Sequence, residues 1–251
     1  MRTKTAECVL DDLGQAVESV VFGVDGVIVD SVRASAAAWK SVFDPFLRSF
    51  TLVYEMPYEP FDVRVDHTRY LHGRPPLEGA RDFLASRGIR LPYVDLRALV
   101  MRHEEFFLGE VRRHGVAPIA ATIIFVRELR RCGVRTAAVS EECCGAELLR
   151  RAGVAELFDV LLDGLDAPGT ALPVHTDARL FHAAALRLGV PLERTAVVEG
   201  STAGVAAGRC AGFGAVVAVD PTGGSAGLRG QGADLVVADV SQLRLRHRRI
   251  A

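Results

Sequence analysis

The chain has 251 residues, 49% of them apolar and 24% charged, with 30 basic and 31 acidic side chains and a formal net charge of −1. That balance excludes a global electrostatic pull toward nucleic acid or an anionic membrane surface, and no apolar run reaches the roughly 18 residues of a spanning helix. The length suits one α/β domain with an inserted subdomain. The polar N-terminus does not read as a secretory signal, and five cysteines, an odd number with Cys143 and Cys144 adjacent, form no disulfide framework and fit a reducing cytoplasm.

In chain order, residues 11–17 read as a short helical entry segment. Val20, Val21 and Phe22 are a compact apolar run expected as a buried strand. Gly23, Asp25 and Gly26 follow it as a tight turn that leaves an aspartate at the carboxyl edge of a sheet, where open α/β folds keep their chemistry. Over residues 32–50, Ala34, Ala37, Ala38, Trp39, Val42, Phe43, Phe46 and Leu47 recur at helical spacing, and Pro45 is expected to bend or end that helix near Phe43. Residues 51–76 are irregular, rich in Pro, Tyr and charge. A second helix follows, with Leu77, Ala80, Phe83 and Leu84 on one face and Gly88 as its stop signal, and residues 96–114 form a third, amphipathic one.

From Pro118 the pattern is the strand and helix alternation of a parallel sheet. Helices are expected at 120–132, 147–152, 177–188 and from 201 through Gly208. Strands are expected at 134–139, ending at Ser140, then at 157–162, at 195–198 running into Glu199, Gly200 and Ser201, and at 215–219, with an edge strand at 234–238. The basic end Arg244 to Arg249 reads as solvated. The fold class is therefore α/β, a doubly wound parallel sheet built from residues 1–33 and 116–251, with a helical cap of residues 34–115 inserted after the first strand.

The stretch V-V-F-G-V-D-G-V-I-V-D-S (20–31) resembles the first motif of the haloacid dehalogenase superfamily, a strand followed by Asp-x-Asp-Gly-Val/Thr and, in the β-phosphoglucomutase-like branch, by Asp-Ser. Val24, Asp25, Gly26, Val27, Asp30 and Ser31 match; Gly23 stands where the family has its nucleophilic aspartate. L-H-G-R-P-P-L-E-G-A-R-D-F-L-A-S-R-G-I (71–89) is similar to the cap of actinobacterial members. F-H-A-A-A-L-R-L-G-V-P-L-E-R (181–194) resembles the family's F-x-x-A-A-x-x-L-G-V-x-P-E-R, and V-V-E-G-S-T-A-G-V-A-A-G (197–208) its V-V-E-D-S/A-x-A-G-V-x-A-G.

The resemblance implies phosphoryl transfer by a nucleophilic aspartate, with a second aspartate as general acid/base, a Ser/Thr and a Lys holding the phosphoryl group, and acidic residues binding magnesium. On this chain Asp25 is the second aspartate and Ser140 the hydroxyl. Glu141 and Glu142 follow where the family carries neutral polar residues. His175 takes the lysine's place, Glu199 matches the first acid of the fourth motif, and Gly200 replaces the second. A carboxylate attacking phosphorus needs cations to cancel charge on both partners, and an imidazole is mostly neutral near pH 7 unless a carboxylate raises its pKa.

The expectation is thus a site that has lost magnesium-dependent aspartyl-phosphate chemistry, with magnesium binding weak or lost and no other cofactor. Asp25, His175 and Glu199 become candidate acid/base groups of a small-molecule pocket in the core/cap cleft. Gly23, Ser140, Glu141 and Gly200 line it, and it suits a neutral or cationic organic ligand of a biosynthetic pathway. The alternative is a non-catalytic binding or regulatory module with a protein partner, and a third reading keeps residual phosphatase activity through Asp25. Asp25 also reads as a turn residue bonded to backbone, and Glu141 and Glu142 as acids of a helix's first turn. No nucleic-acid or membrane partner is expected. His67, His72, His114, His182 and His247 show no metal-ligand spacing, His103 lacks the second histidine of a zinc helix, and Cys143 and Cys144 read as buried and inert.

Overall fold

The structure, a computed structural model, describes residues 6–140, 144–166, 178–221, 223 and 226–249. Strands β1 (Ala6–Leu10), β2 (Gln15–Val17), β3 (Ser19–Gly23) and β4 (Val29–Asp30) come first. Helices α1 (Val32–Val53), α2 (Pro76–Ser86) and α3 (Tyr93–His114) follow, then β5 (Ala117–Pro118), α4 (Ala120–Arg131), β6 (Arg135–Val139), α5 (Gly145–Arg151), β7 (Val160–Leu162) and α6 (Ala178–Leu188). The remainder is β8 (Thr195–Glu199), α7 (Thr202–Ala211), β9 (Ala215–Val219), α8 (Ala226–Gly230), β10 (Leu235–Val237) and β11 (Leu245–Arg249). Contacts divide the chain into two units, Met1–Asp30 with Ala117–Ala251, and Ser31–Val116. Among the described residues no helix is long and apolar enough to cross a membrane.

The first unit is built on β3, every residue of which is buried. Its apolar run on both faces is what a central parallel strand requires. The sheet has the order β10-β9-β8-β3-β6-β7 and all its pairings are parallel. Successive side chains of a strand point to opposite faces. Accordingly Val21 joins the cluster made with Leu180, Phe181 and Ala184 of α6 and Ala207 and Ala211 of α7. Phe22 instead meets Phe125 of α4 edge-on, with ring centroids 6.3 Å apart. Helices therefore cover both faces, and the sheet is doubly wound as expected. Chain order runs outward from β3 in both directions, so the switch point lies where β3 meets β8, and the carboxyl ends of those strands frame the crevice.

Four readings of the sequence are corrected. Residues 11–17 are not a helix: Asp11–Leu13 make one 3-10 turn and β2 then runs antiparallel to β1. The basic end is not simply solvated, because β11 pairs antiparallel with the other edge of β1, Leu10 opposite Leu245 and Cys8 opposite His247. A segment written L-R-H-R-R carries no apolar alternation, so only the backbone ladder reveals it as a strand. The strand expected at 157–162 begins at Val160, after a 3-10 turn at Ala155–Leu157.

The fourth correction lies in the second unit. Pro45 does not end α1, which continues to Val53. The ring removes one backbone donor and costs about 3 kcal/mol in a helix interior, yet Pro45 sits on the exposed face. Trp39, Val42, Phe43 and Leu47 on the opposite face bury against Phe61, Phe83, Leu84, Leu99 and Val100. Each fully buried large apolar side chain contributes about 1.5–3 kcal/mol, so packing outweighs the lost bond. The irregular stretch before α2 also contains a π-helical turn, His67–Leu71, next to Asp66, whose carboxylate accepts from Arg87 at 2.9 Å.

Candidate functional site

The turn after β3 continues the sheet ladder for one residue and then closes on itself. Val24 donates its N–H to Val139 at 3.1 Å, and Ile28 and Val29 both donate back to the Val24 carbonyl at 3.0 and 3.1 Å. Val27 and Ile28 are buried, and the turn is tied to α4 and its entry by the Thr122 hydroxyl, which donates to the Val27 carbonyl at 2.6 Å, and by Ile119, whose N–H donates to Ile28 at 2.8 Å. These bonds hold Asp25, half-buried, at the carboxyl edge. On the neighbouring strand β6, Val139 pairs with Gly23, which delivers Ser140 beside it. Ser140 is buried and donates its N–H to Leu162 at 3.0 Å.

Glu199, the last residue of β8, is 8% exposed. Its side chain turns back over the entry to α7, where Oε2 accepts from the N–H of Gly200 at 2.8 Å, the N–H of Ser201 at 3.0 Å and the Ser201 hydroxyl at 3.1 Å. The same hydroxyl caps α7 by accepting from the Gly204 N–H at 2.9 Å. An ionised carboxylate is well placed there, since the helix dipole and the unpaired amides of its first turn favour negative charge.

That pose depends on two glycines. A Cβ at position 23 would lie 2.3 Å from Glu199 Oε1, and a Cβ at position 204 would lie 2.3 Å from Glu199 Cδ. Both are far inside van der Waals contact. The Glu199 carboxylate therefore occupies the volume into which a side chain at the end of β3 would project. Gly200 packs over the Asp25 turn instead: its Cβ would meet Val27 Cγ2 at 3.3 Å and the Asp25 and Gly26 carbonyls at 3.7 Å.

The structure thus brings Gly23, Asp25, Glu199 and Gly200 together at the switch point and sets Ser140 on the adjoining strand. Glu141 and His175, with Glu142 and Cys143, lie outside the described residues. Sequence reasoning missed Gly204 and Ser201 as parts of the site; the signal was the Ser-Thr-Ala-Gly run, in which a capping serine precedes a glycine at the spacing of its capped amide. Among the described residues no group of three His, Cys, Asp or Glu is placed to hold a metal ion.

A second polar cluster, in the Ser31–Val116 unit, was also missed. The Ser35 hydroxyl of α1 lies 3.4 Å from Nε2 of both His67 and His103, and the two imidazoles are buried. Burial holds both rings neutral, pushing His67 down to about 4, helped by nearby His72, and His103 to about 3. His103 also stacks on Trp39, with centroids 4.1 Å apart. Its members come from three separate elements, so no spacing along the chain could have joined them. Such weak bases are poor activators of a serine hydroxyl.

Comparison with known proteins matches this geometry to a family. The sequence profile of haloacid dehalogenase-like hydrolases matches residues 17–212. A Mycobacterium tuberculosis protein named as an uncharacterized glycosyl hydrolase is 34% identical over 232 residues, covering 89% of this chain and 17% of the relative, so the chain spans only a small part of that protein. The β-phosphoglucomutase of Mycobacterium bovis is 28% identical over 243 residues, 92% of this chain and 93% of the relative. The crystal structure of a HAD family hydrolase from Deinococcus radiodurans R1, with bound phosphate and sodium, superimposes with a TM-score of 0.64 at 28% identity, covering 90% of this chain and 93% of that one. The chain belongs to the haloacid dehalogenase-like hydrolases, in their β-phosphoglucomutase-like branch.

Proposed function

We propose that this chain has lost magnesium-dependent aspartyl-phosphate transfer and uses the carboxyl edge of its sheet as a small-molecule pocket, with Asp25 as the acid/base group and His175 and Glu199 as its partners. One observation carries the reading: the Glu199 carboxylate lies where a nucleophile at position 23 would have its side chain. In-line attack on phosphorus requires a carboxylate oxygen presented from the end of β3, and Gly23 presents none. Glu199 does not substitute for it, because one of its oxygens is committed to three donors.

The donor set does not suit magnesium either. The ion takes oxygen ligands in a near-ideal octahedron, whereas Gly23 and Gly200 offer only backbone and Glu199 Oε2 faces N–H and O–H groups. With His175 in the lysine's place, little is left to balance a phosphate dianion, which favours a neutral ligand. The names of the relatives, a β-phosphoglucomutase and a glycosyl hydrolase, support a carbohydrate as the ligand class.

The test is a turnover assay with aryl and hexose phosphates, with and without magnesium, together with trapping by beryllofluoride. The expected outcome is no hydrolysis above buffer and no adduct; robust magnesium-dependent turnover sinks the proposal. A second reading, a non-catalytic binding module, draws support from the full engagement of Glu199 Oε2. Asp25→Asn separates the two: loss of a chemical activity with the fold intact supports the enzyme, and an unchanged biological function supports the binding module.

A further inference from the structure

We infer that the Ser31–Val116 unit carries a binding site for a four-coordinate transition-metal ion of the zinc type, with Nε2 of His67, Nε2 of His103 and the Ser35 hydroxyl oxygen as ligands. All three residues belong to that unit, and both imidazoles bring the same ring atom to 3.4 Å from the one Ser35 oxygen. That separation is long for a hydrogen bond between nitrogen and oxygen, which falls at roughly 2.7–3.2 Å. It is the edge of a coordination tetrahedron: bonds of about 2.1 Å, meeting at about 109°, set any two ligand atoms about 3.4 Å apart. Two members are histidines and the third is a hydroxyl, so the cluster is of a different kind from a group of three His, Cys, Asp or Glu, of which none is placed to hold a metal among the described residues.

As a hydrogen-bond network the cluster does not close. The Ser35 hydroxyl has one proton to give, and Nδ1 of His103, a residue 2% exposed, is buried with no partner in hydrogen-bonding geometry. Buried polar atoms are otherwise paired almost throughout a fold, and an orphan of this kind is a mark of an ion or water site. The scaffold holds both rings in place. His103, on α3, stacks on Trp39 at 4.1 Å and lies nearly parallel to Phe107 at 6.0 Å. His67 opens the π-helical turn, where its carbonyl accepts from the His72 N–H at 2.8 Å. Ligands locked by packing are preorganised for an ion. Ser35 is half-buried and the most exposed of the three, which gives the ion a way in and leaves the fourth position to water. Neutral imidazoles suit zinc, cobalt, nickel or copper, whereas magnesium takes oxygen ligands in an octahedron. The tetrahedral edge selects zinc, with cobalt as its spectroscopic substitute.

The experiment uses the full chain, stripped with a chelator and titrated at pH 7.5 with cobalt(II) chloride and then with zinc chloride. The expected result is saturable binding of one cobalt ion, with the strong visible bands of a tetrahedral ion and with quenching of Trp39, which stacks on His103 and is the one tryptophan of the sequence. Zinc should displace the cobalt and reverse both signals. His67→Gln should weaken binding by about 100-fold and Ser35→Ala by about tenfold. His114→Gln, at an exposed histidine beside Glu110, should change nothing. If His67→Gln does not fold, as judged by far-ultraviolet circular dichroism, the wild-type titration and Ser35→Ala decide. No saturable binding, a six-coordinate cobalt spectrum, binding that leaves Trp39 unquenched, or unchanged affinity in folded His67→Gln or in Ser35→Ala overturns the proposal. None of these readouts depends on the activity proposed above.

Discussion

At the scale of single residues, Gly23, Glu199 and Gly204 interlock, and the interlock makes an unusual demand. Replacing a helical glycine by alanine ordinarily stabilises by about 1 kcal/mol. At position 204 the new carbon would lie 2.3 Å from Glu199 Cδ, so the carboxylate would have to leave its donors, and each bond to a charged group contributes about 1.5–3 kcal/mol. Gly204→Ala is therefore expected to destabilise by about 2 kcal/mol in urea unfolding. The double variant Gly204→Ala with Glu199→Ala relieves the clash, so adding Gly204→Ala to Glu199→Ala should cost little or stabilise. A single variant as stable as wild type contradicts the interlock. That position 23 carries no side chain was legible from the motif alone. What fills its place was not, because Glu199 reaches Gly23 only through the pairing of β3 with β8.

Among the elements, α1, the π-helical turn and α3 meet at the buried histidines, and this gives the second unit a pH dependence. His67 and His103 are neutral in the fold, with pKa values lowered from 6.5 to about 4 and about 3 by burial. Unfolded, each takes up a proton near 6.5, so below that pH the unfolded chain binds more protons. The stability of the neutral pair is complete above about 6.5 and falls as pH drops toward 4 and then 3, at a limiting slope of about 1.4 kcal/mol per unit for each ring. Trp39, the one tryptophan of the sequence, stacks on His103 and reports this unit directly. Urea titrations followed by its fluorescence at pH 7.5, 6 and 5 should show the midpoint falling, and His67→Gln should flatten the slope. An equal slope in that variant removes His67 from the account. Periodicity revealed α1 and the central strands because their burial is one-sided or complete. It could not reveal β1, β2 and β11, which are held by backbone pairing among residues of mixed polarity.

On the scale of the molecule, the described core clusters each stay within one unit: the residues packed on the sheet belong to Met1–Asp30 and Ala117–Ala251, and those around Trp39 and Phe83 to Ser31–Val116. The two chain crossings also lie side by side, with β4 antiparallel to β5 and Asp30 opposite Ala117. Replacing residues 31–116 by a two-residue Asn-Gly turn should close that ladder as a hairpin and leave the sheet unit folded. Cooperative urea unfolding with native-like near-ultraviolet circular dichroism is the expected result, and a collapsed species lacking a cooperative transition counts against autonomy.

The sequence by itself determined the doubly wound sheet, the inserted helical segment and the glycines at positions 23 and 200, because hydrophobic period and motif spacing are local properties that a linear chain displays. Only the tertiary structure decided that Glu199 folds into the space beside Gly23 and that Ser35, His67 and His103 share one buried cluster. Each of those contacts joins residues distant in the chain, and their geometry is set by strand order and packing, which no spacing along the sequence encodes.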